Sequence, residues 1–125
     1  MDPDALKTIL IVEDVELNRD LLIQLLDDRY RVIVAADGEG AIAQASAESP
    51  DLILMDLSLP GMDGWEATRK LKADRALSRI PIVALSAHAM RTHEERAMES
   101  GCDAFLTKPI DEALLYRTLA RYLGD

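Results

Sequence analysis

Short apolar runs and longer amphipathic ones alternate along this chain, five times each. Thr8-Ile9-Leu10-Ile11-Val12 is a β-branched run that ends on Glu13-Asp14. Residues 51–57 are almost wholly apolar and are bounded by Pro50 and by Pro60-Gly61. A run that short and so flanked predicts a strand buried on both faces, not a helix. Residues 31–36, 80–85 and 104–107 give three more strands, the last two followed by Ser86-Ala87 and Lys108-Pro109. Between them the spacing turns helical. Residues 16–28 carry Leu17, Leu21, Leu25 and Leu26 at near-helical intervals, and Asp37-Gly38 is a turn able to cap a short helix through about residue 46. Residues 64–73 place Trp65, Thr68 and Leu71 on one stripe. Thr92-His93-Glu94-Glu95 has capping-box spacing, with Gly101 suited to that helix's end. Asp111 caps a last helix through about residue 123, with Leu115, Leu119 and Leu123 in register.

Strands that are apolar throughout, and not only at alternate residues, belong to a parallel sheet covered on both faces. The expected fold is therefore α/β, a five-stranded parallel sheet with helices on both faces. Right-handed crossovers leave few topologies, and the flavodoxin-like order 2-1-3-4-5 is the expected one for five strands.

Composition narrows the functional classes. A chain of 125 residues fits one domain, and its apolar runs are too short to span a membrane. Met1-Asp2-Pro3-Asp4 lacks the basic and apolar regions of a secretion signal. Cys102 is the only cysteine, so neither an intramolecular disulfide nor a cysteine metal site is possible. With 23 acidic and 14 basic residues the net charge is −9, which disfavours general binding to DNA or to anionic membrane. These features describe a soluble cytoplasmic domain.

All carboxyl ends of a parallel sheet lie on one edge. That edge would carry Glu13 and Asp14 from strand one, Asp56 from strand three, Ser86 from strand four and Lys108 from strand five. The order 2-1-3-4-5 sets strands one and three side by side, with the ligand crevice between them. Three carboxylates there would raise one another's pKa unless a cation offset them. Magnesium suits such a site, because it takes hard oxygen ligands, often one or two carboxylates plus phosphate oxygens. A carboxylate is ionised at neutral pH and can attack phosphorus without a base to activate it. Lys108 and the Ser86 hydroxyl could then bind the phosphoryl oxygens. The residues point to a metal-assisted, phosphate-accepting aspartate.

Ile9-Leu10-Ile11-Val12-Glu13-Asp14, Leu54-Met55-Asp56-Leu57-Ser58-Leu59-Pro60-Gly61-Met62-Asp63-Gly64, Val83-Ala84-Leu85-Ser86-Ala87 and Thr107-Lys108-Pro109 resemble the motifs of bacterial response-regulator receiver domains, the CheY-like family. The resemblance covers essentially the whole chain, and the wider pattern is closest to the single-domain regulators of the DivK kind. It implies that Asp56 accepts a phosphoryl group from a histidine of a sensor histidine kinase or a histidine phosphotransfer protein. It implies that Asp14, Asp56 and the Ser58 backbone carbonyl ligate Mg2+, with Glu13 reaching the metal through water. Ser86 matches the switch hydroxyl that moves onto the phosphate, and Lys108 the lysine that pairs with it. Phe105 matches the switch aromatic that swings inward; family members often carry Tyr there, and Phe has no hydroxyl to bond outside. Pro109 matches a cis-proline, plausible because X-Pro bonds adopt cis at small cost. The α4-β5-α5 face is the implied output surface, with Arg91, Glu95, Tyr116 and Arg117 as exposed candidates. Residues 1–125 would form a single receiver domain with no output domain, although a module excised from a hybrid kinase is an alternative.

Other readings of the same residues are weaker. Glu13-Asp14 alone would be an ordinary solvated turn, and Ser86 alone a satisfied strand-end hydroxyl; only the constellation promotes them. His88 and His93, five residues apart, do not share a helical face; His88 is expected in a mobile loop and His93 on a solvated first turn. Cys102 is expected as a buried filler, and Trp65 packed on the sheet. An aspartate-nucleophile phosphatase of the haloacid-dehalogenase type needs a second acid two residues on, where this chain has Ser58. Gly38-Glu39-Gly40 opens no nucleotide-binding motif, and Glu13-Asp14-Val15-Glu16 is not a flavodoxin phosphate loop. An enzyme acting on other molecules is thus disfavoured. A degenerate receiver serving as a binding scaffold would have lost one of Asp14, Asp56, Ser86 or Lys108, and all four are present.

Overall fold

Every residue of Thr8–Val12, Leu52–Asp56 and Ile82–Ser86 is buried, so these strands present no face to water. The computed structural model describes residues 6–88 and 90–124; the acidic N-terminal tetrapeptide lies outside them. Strands β1 (Thr8–Val12), β2 (Arg31–Ala35), β3 (Leu52–Asp56), β4 (Ile82–Ser86) and β5 (Ala104–Thr107) alternate with helices α1 (Glu16–Leu26), α2 (Gly38–Glu48), α3 (Gly64–Ala73), α4 (Arg91–Glu99) and α5 (Glu112–Leu123). All pairings are parallel and the order is β2-β1-β3-β4-β5, as the alternation predicts.

Successive strand residues point to opposite faces, and this chain fills both. Ile9, Ile11, Leu52, Leu54, Val83 and Leu85 pack with Leu22 and Leu26 of α1 and Leu115 and Leu119 of α5. Leu10, Val12, Ile53, Met55, Ile82 and Ala84 pack with Ala41 and Ala45 of α2, Ala67 and Leu71 of α3, and Ala97 of α4. Two helices cover one face and three the other. Small residues on α2 and α4 let those helices approach the sheet closely.

Some local expectations are corrected. On α1 the buried stripe is Leu22 and Leu26, while Leu17 is 68% and Leu21 52% exposed. Leu22 and Leu26 are one turn apart and face the sheet, Leu25 packs at the edge of the same cluster, and Leu17 and Leu21 are rotated away. Helix α4 begins after Met90, which makes no side-chain cap; Thr92 lies within its first turn and is not a capping residue. Strand β4 starts at Ile82, since Pro81 has no N–H to give the ladder. Asp37, Asp63 and Asp111 do cap α2, α3 and α5, accepting from the backbone N–H of Gly40, Glu66 and Leu114.

Candidate functional site

The site lies at the carboxyl edge of the sheet, where the register aligns Val12 of β1 with Met55 of β3. Glu13 and Asp56 are the next residues on the two neighbouring chains. One side-chain oxygen from each of Glu13, Asp14 and Asp56 lies within 4.8 Å of the others. Glu13 and Asp56 are buried and Asp14 is exposed.

Local structure holds each carboxylate. The Ser58 N–H donates to Asp56 Oδ1 at 3.0 Å, which folds the turn after β3 back onto the aspartate. Gly64, the first residue of α3, sits hard against that turn: a Cβ there would strike the Asp56 carbonyl and lie 2.7 Å from the Leu57 Cα. Glu13 is held by its own loop, where the Val15 N–H donates to Oε2 at 3.3 Å and Arg19 Nη1 donates to its backbone carbonyl at 3.1 Å.

Lys108 supplies the opposing charge. From the end of β5 its Nζ reaches Glu13 Oε1 at 2.8 Å and Asp56 Oδ2 at 3.4 Å. Burial works against the charged ammonium, but the hydrogen bond to Glu13 and the charge of Asp56 outweigh it, and the Lys108 pKa is raised above its ordinary value. The Lys108 N–H donates to the Ser86 carbonyl at 2.7 Å, and the Lys108-Pro109 peptide is cis, as the resemblance implies. Three carboxylate oxygens within 4.8 Å of one another, one of them on the exposed Asp14, are a donor set that fits a hard divalent cation. Glu13 is already engaged by Lys108, which suits a place outside the direct ligands.

Ser86 is buried at the end of β4 and faces away from the carboxylates. Its Oγ accepts from the His88 N–H at 3.0 Å and donates to the His88 carbonyl at 3.2 Å. Phe105 of β5 is half-buried against the core on the α2-α3-α4 side. Cys102 is buried, its Sγ 3.8 Å from Thr68 Oγ1, and burial pushes the thiol pKa up to about 11. It is the inert filler expected.

Two expectations fail here. His93 is not on a solvated turn: its ring stacks on Trp65 at 5.7 Å between centroids and on His88 at 4.9 Å, and its Nδ1 is buried. Sequence spacing could not reveal this, because the partners come from three different segments. Tyr116 is not a free output residue, since its hydroxyl donates to the Leu25 carbonyl at 2.9 Å and the Arg29 guanidinium sits over its ring. Trp65 packs against the core as expected, but its ring also carries the Arg96 guanidinium, 3.9 Å from the ring centre.

Comparison with known proteins agrees with this geometry. The profile of the response regulator receiver domain family matches residues 9–120. The polar-differentiation response regulator DivK of Brucella ovis is 42% identical over 120 residues, covering 95% of this chain and 98% of that protein. Among solved structures, the receiver domain of the sensor histidine kinase PA1611 from Pseudomonas aeruginosa superposes with a TM-score of 0.89 at 38% identity. That match covers 97% of this chain and 100% of that one, whose active-site cleft holds a coordinated magnesium ion. The Vibrio cholerae chemotaxis protein CheY4 matches with a TM-score of 0.89 at 29% identity, over 95% of this chain and 100% of its own.

Proposed function

The chain belongs to the response regulator receiver domain family of two-component signalling, and from that premise we propose that Asp56 is its phospho-acceptor. The observation that carries this assignment is the buried Asp56 carboxylate at the end of β3, with Lys108 Nζ 3.4 Å from Oδ2 and two further carboxylates beside it.

Asp56 attacks the phosphorus of a phosphohistidine on a sensor histidine kinase or a histidine phosphotransfer protein. The O–P bond forms as the N–P bond breaks, and the released imidazole nitrogen regains a proton. Asp14, Asp56 and the Ser58 carbonyl would hold Mg2+, with Glu13 contributing through water, and the ion would supply positive charge to offset phosphoryl oxygens approaching three carboxylates. Lys108 is already seated between Glu13 and Asp56 and turns its ammonium to the new phosphoryl oxygens. Ser86 leaves His88 to donate to the same group, and Phe105 follows inward. The contacts of the α4-β5-α5 face shift as a result.

The protein bearing the phosphohistidine must approach the mouth beside Asp14. Val15, Leu17 and Leu21 form an exposed apolar margin there, which suits a protein surface better than a small molecule. The domain acts on no substrate besides its own phosphoryl group. No helix among the described residues is long and apolar enough to cross a membrane, and the acidic chain is suited to protein contacts in the cytoplasm and not to DNA.

Intact-protein mass after treatment with acetyl phosphate or phosphoramidate tests the assignment. Wild type gains one phosphoryl group in the presence of magnesium, and Asp56→Asn gains none. Label persisting on the variant would overturn the role of Asp56, and no gain on folded wild type would leave a binding scaffold. A second reading, as the receiver module of a larger kinase, is supported by the likeness to the PA1611 receiver domain, and the size of the native product on an immunoblot separates the two.

A further inference from the structure

The Ser86 hydroxyl has one hydrogen, and it is committed to the His88 carbonyl. Ser86 cannot donate to a phosphoryl oxygen and keep that bond. Whatever holds His88 in place therefore holds Ser86 in its resting position. His88 is exposed and follows the end of β4, but its ring is not free. It stacks on His93 of α4 with centroids 4.9 Å apart and planes inclined by 19°. His93 in turn stacks on Trp65 of α3 at 5.7 Å and 25°. Arg96, one turn further along α4, also lies over the Trp65 ring, 3.9 Å from its centre.

The ladder is held by ring faces alone. Trp65 Nε1 and His93 Nδ1 are both buried with no hydrogen-bond partner. Stacking favours the closed ladder, while two unsatisfied polar atoms oppose it, since opening would return both to water. Because these terms oppose each other, a modest input acting on His88 can shift the ladder from closed towards open.

We propose that the Trp65–His93–His88 ladder is the positioning element that holds Ser86 at rest, so that its strength sets how readily the receiver switches. The proposal rests on Asp56 being the phospho-acceptor. Phosphorylation pulls Ser86 inward, draws the His88 backbone with it and lifts the His88 ring off His93. The event at β4 thereby reaches α3 and α4 through Trp65.

His93→Ala removes the middle rung, and His93→Phe keeps a stacking ring while deleting the unsatisfied nitrogen. The loss of stacking predicts that His93→Ala reaches half-saturation with beryllofluoride and magnesium at about three- to tenfold lower concentration than wild type. His93→Phe reaches it at the wild-type concentration or higher. Trp65 is the only tryptophan, so its emission reports saturation directly. In the protein without any phosphoryl mimic, the His88 amide, which donates to Ser86 Oγ, exchanges about three- to tenfold faster in His93→Ala than in wild type or His93→Phe. His88→Ala provides a second break at an exposed position and shifts both readouts in the direction of His93→Ala. Equal midpoints and equal exchange in wild type, His93→Ala and His93→Phe would overturn the ladder's role. So would a shift of the alanine and phenylalanine variants in the same direction. Failure of wild type to respond to beryllofluoride while the amide exchange still follows the ladder would instead remove the phospho-acceptor assignment, leaving the coupling to switching without its premise and overturning it.

Discussion

At the scale of single residues, burial decides which charges matter. Lys108 is 22% exposed and its partner Glu13 only 1%, so removing the ammonium strands a buried carboxylate next to Asp56. Lys108→Ala is expected to lower stability by about 2 kcal/mol, because a buried charge loses its compensating cation. Urea unfolding measures this, and magnesium should recover part of the loss by binding the folded carboxylates alone. The Arg91–Glu95 pair on α4 has a comparably short 3.0 Å contact, but its side chains are 90% and 57% exposed. Arg91→Ala should change the urea midpoint by less than about 0.5 kcal/mol equivalent, as solvent screens such pairs. Distance alone would rank the two alike; desolvation separates them.

At the scale of elements, the junction of β3 and α3 positions the phospho-acceptor. Gly64 brings the first turn of α3 against the Asp56 carbonyl, and no side chain fits between them. Gly64→Ala must push α3 or the Asp56 turn aside, costing about 1–3 kcal/mol. The same displacement should slow phosphorylation of Asp56, which an equally destabilising change far from the site would not do. Thermal unfolding and the rate of mass gain from acetyl phosphate together check this. Helix α1 shows a different division of labour. Leu26 is fully buried against β1 and β3 neighbours, and Leu26→Ala is expected to cost about 2–5 kcal/mol. Leu17→Gln, on the exposed apolar margin, should leave stability within about 0.5 kcal/mol yet weaken phosphotransfer from the partner protein.

At the scale of the molecule, two titrating groups in separate parts of the fold make it sensitive to alkali. The folded pKa of Lys108 lies above its ordinary 10.5, so the pairing contributes fully below that value and is lost as pH rises through the folded one. Cys102 is an acid whose folded pKa of about 11 exceeds its ordinary 9.0. Between those two values the unfolded chain loses its thiol proton while the folded chain keeps it, and stability falls as pH rises. Urea midpoints should accordingly be flat from about pH 7 to 8.5 and decline above about pH 9. Cys102→Ala should remove the earlier part of that decline, and a midpoint curve unaltered by the substitution would refute its share. Native Cys102 should also resist thiol reagents at about neutral pH until the protein is unfolded.

Hydrophobic patterning in this chain was enough to specify five strands, three of them wholly buried, their parallel arrangement and the edge that gathers Glu13, Asp14, Asp56, Ser86 and Lys108. The reason is that each strand is a local apolar run, and a parallel sheet brings every carboxyl end to one side whatever the side chains do. Aspartates 37 and 111 marked their helix starts for an equally local reason, since a cap bonds within its own first turn. What only the folded chain decides are relations between distant residues and fine rotations of helices. Leu22 and not Leu21 faces the core because helix phase follows the packing of the whole of α1 on the sheet. Lys108 finds Glu13 across 95 residues of chain, and Tyr116 finds the Leu25 carbonyl across 91. Trp65, His88 and His93 meet only because α3, α4 and the end of β4 share one face of the sheet, a juxtaposition that no spacing within any one segment encodes.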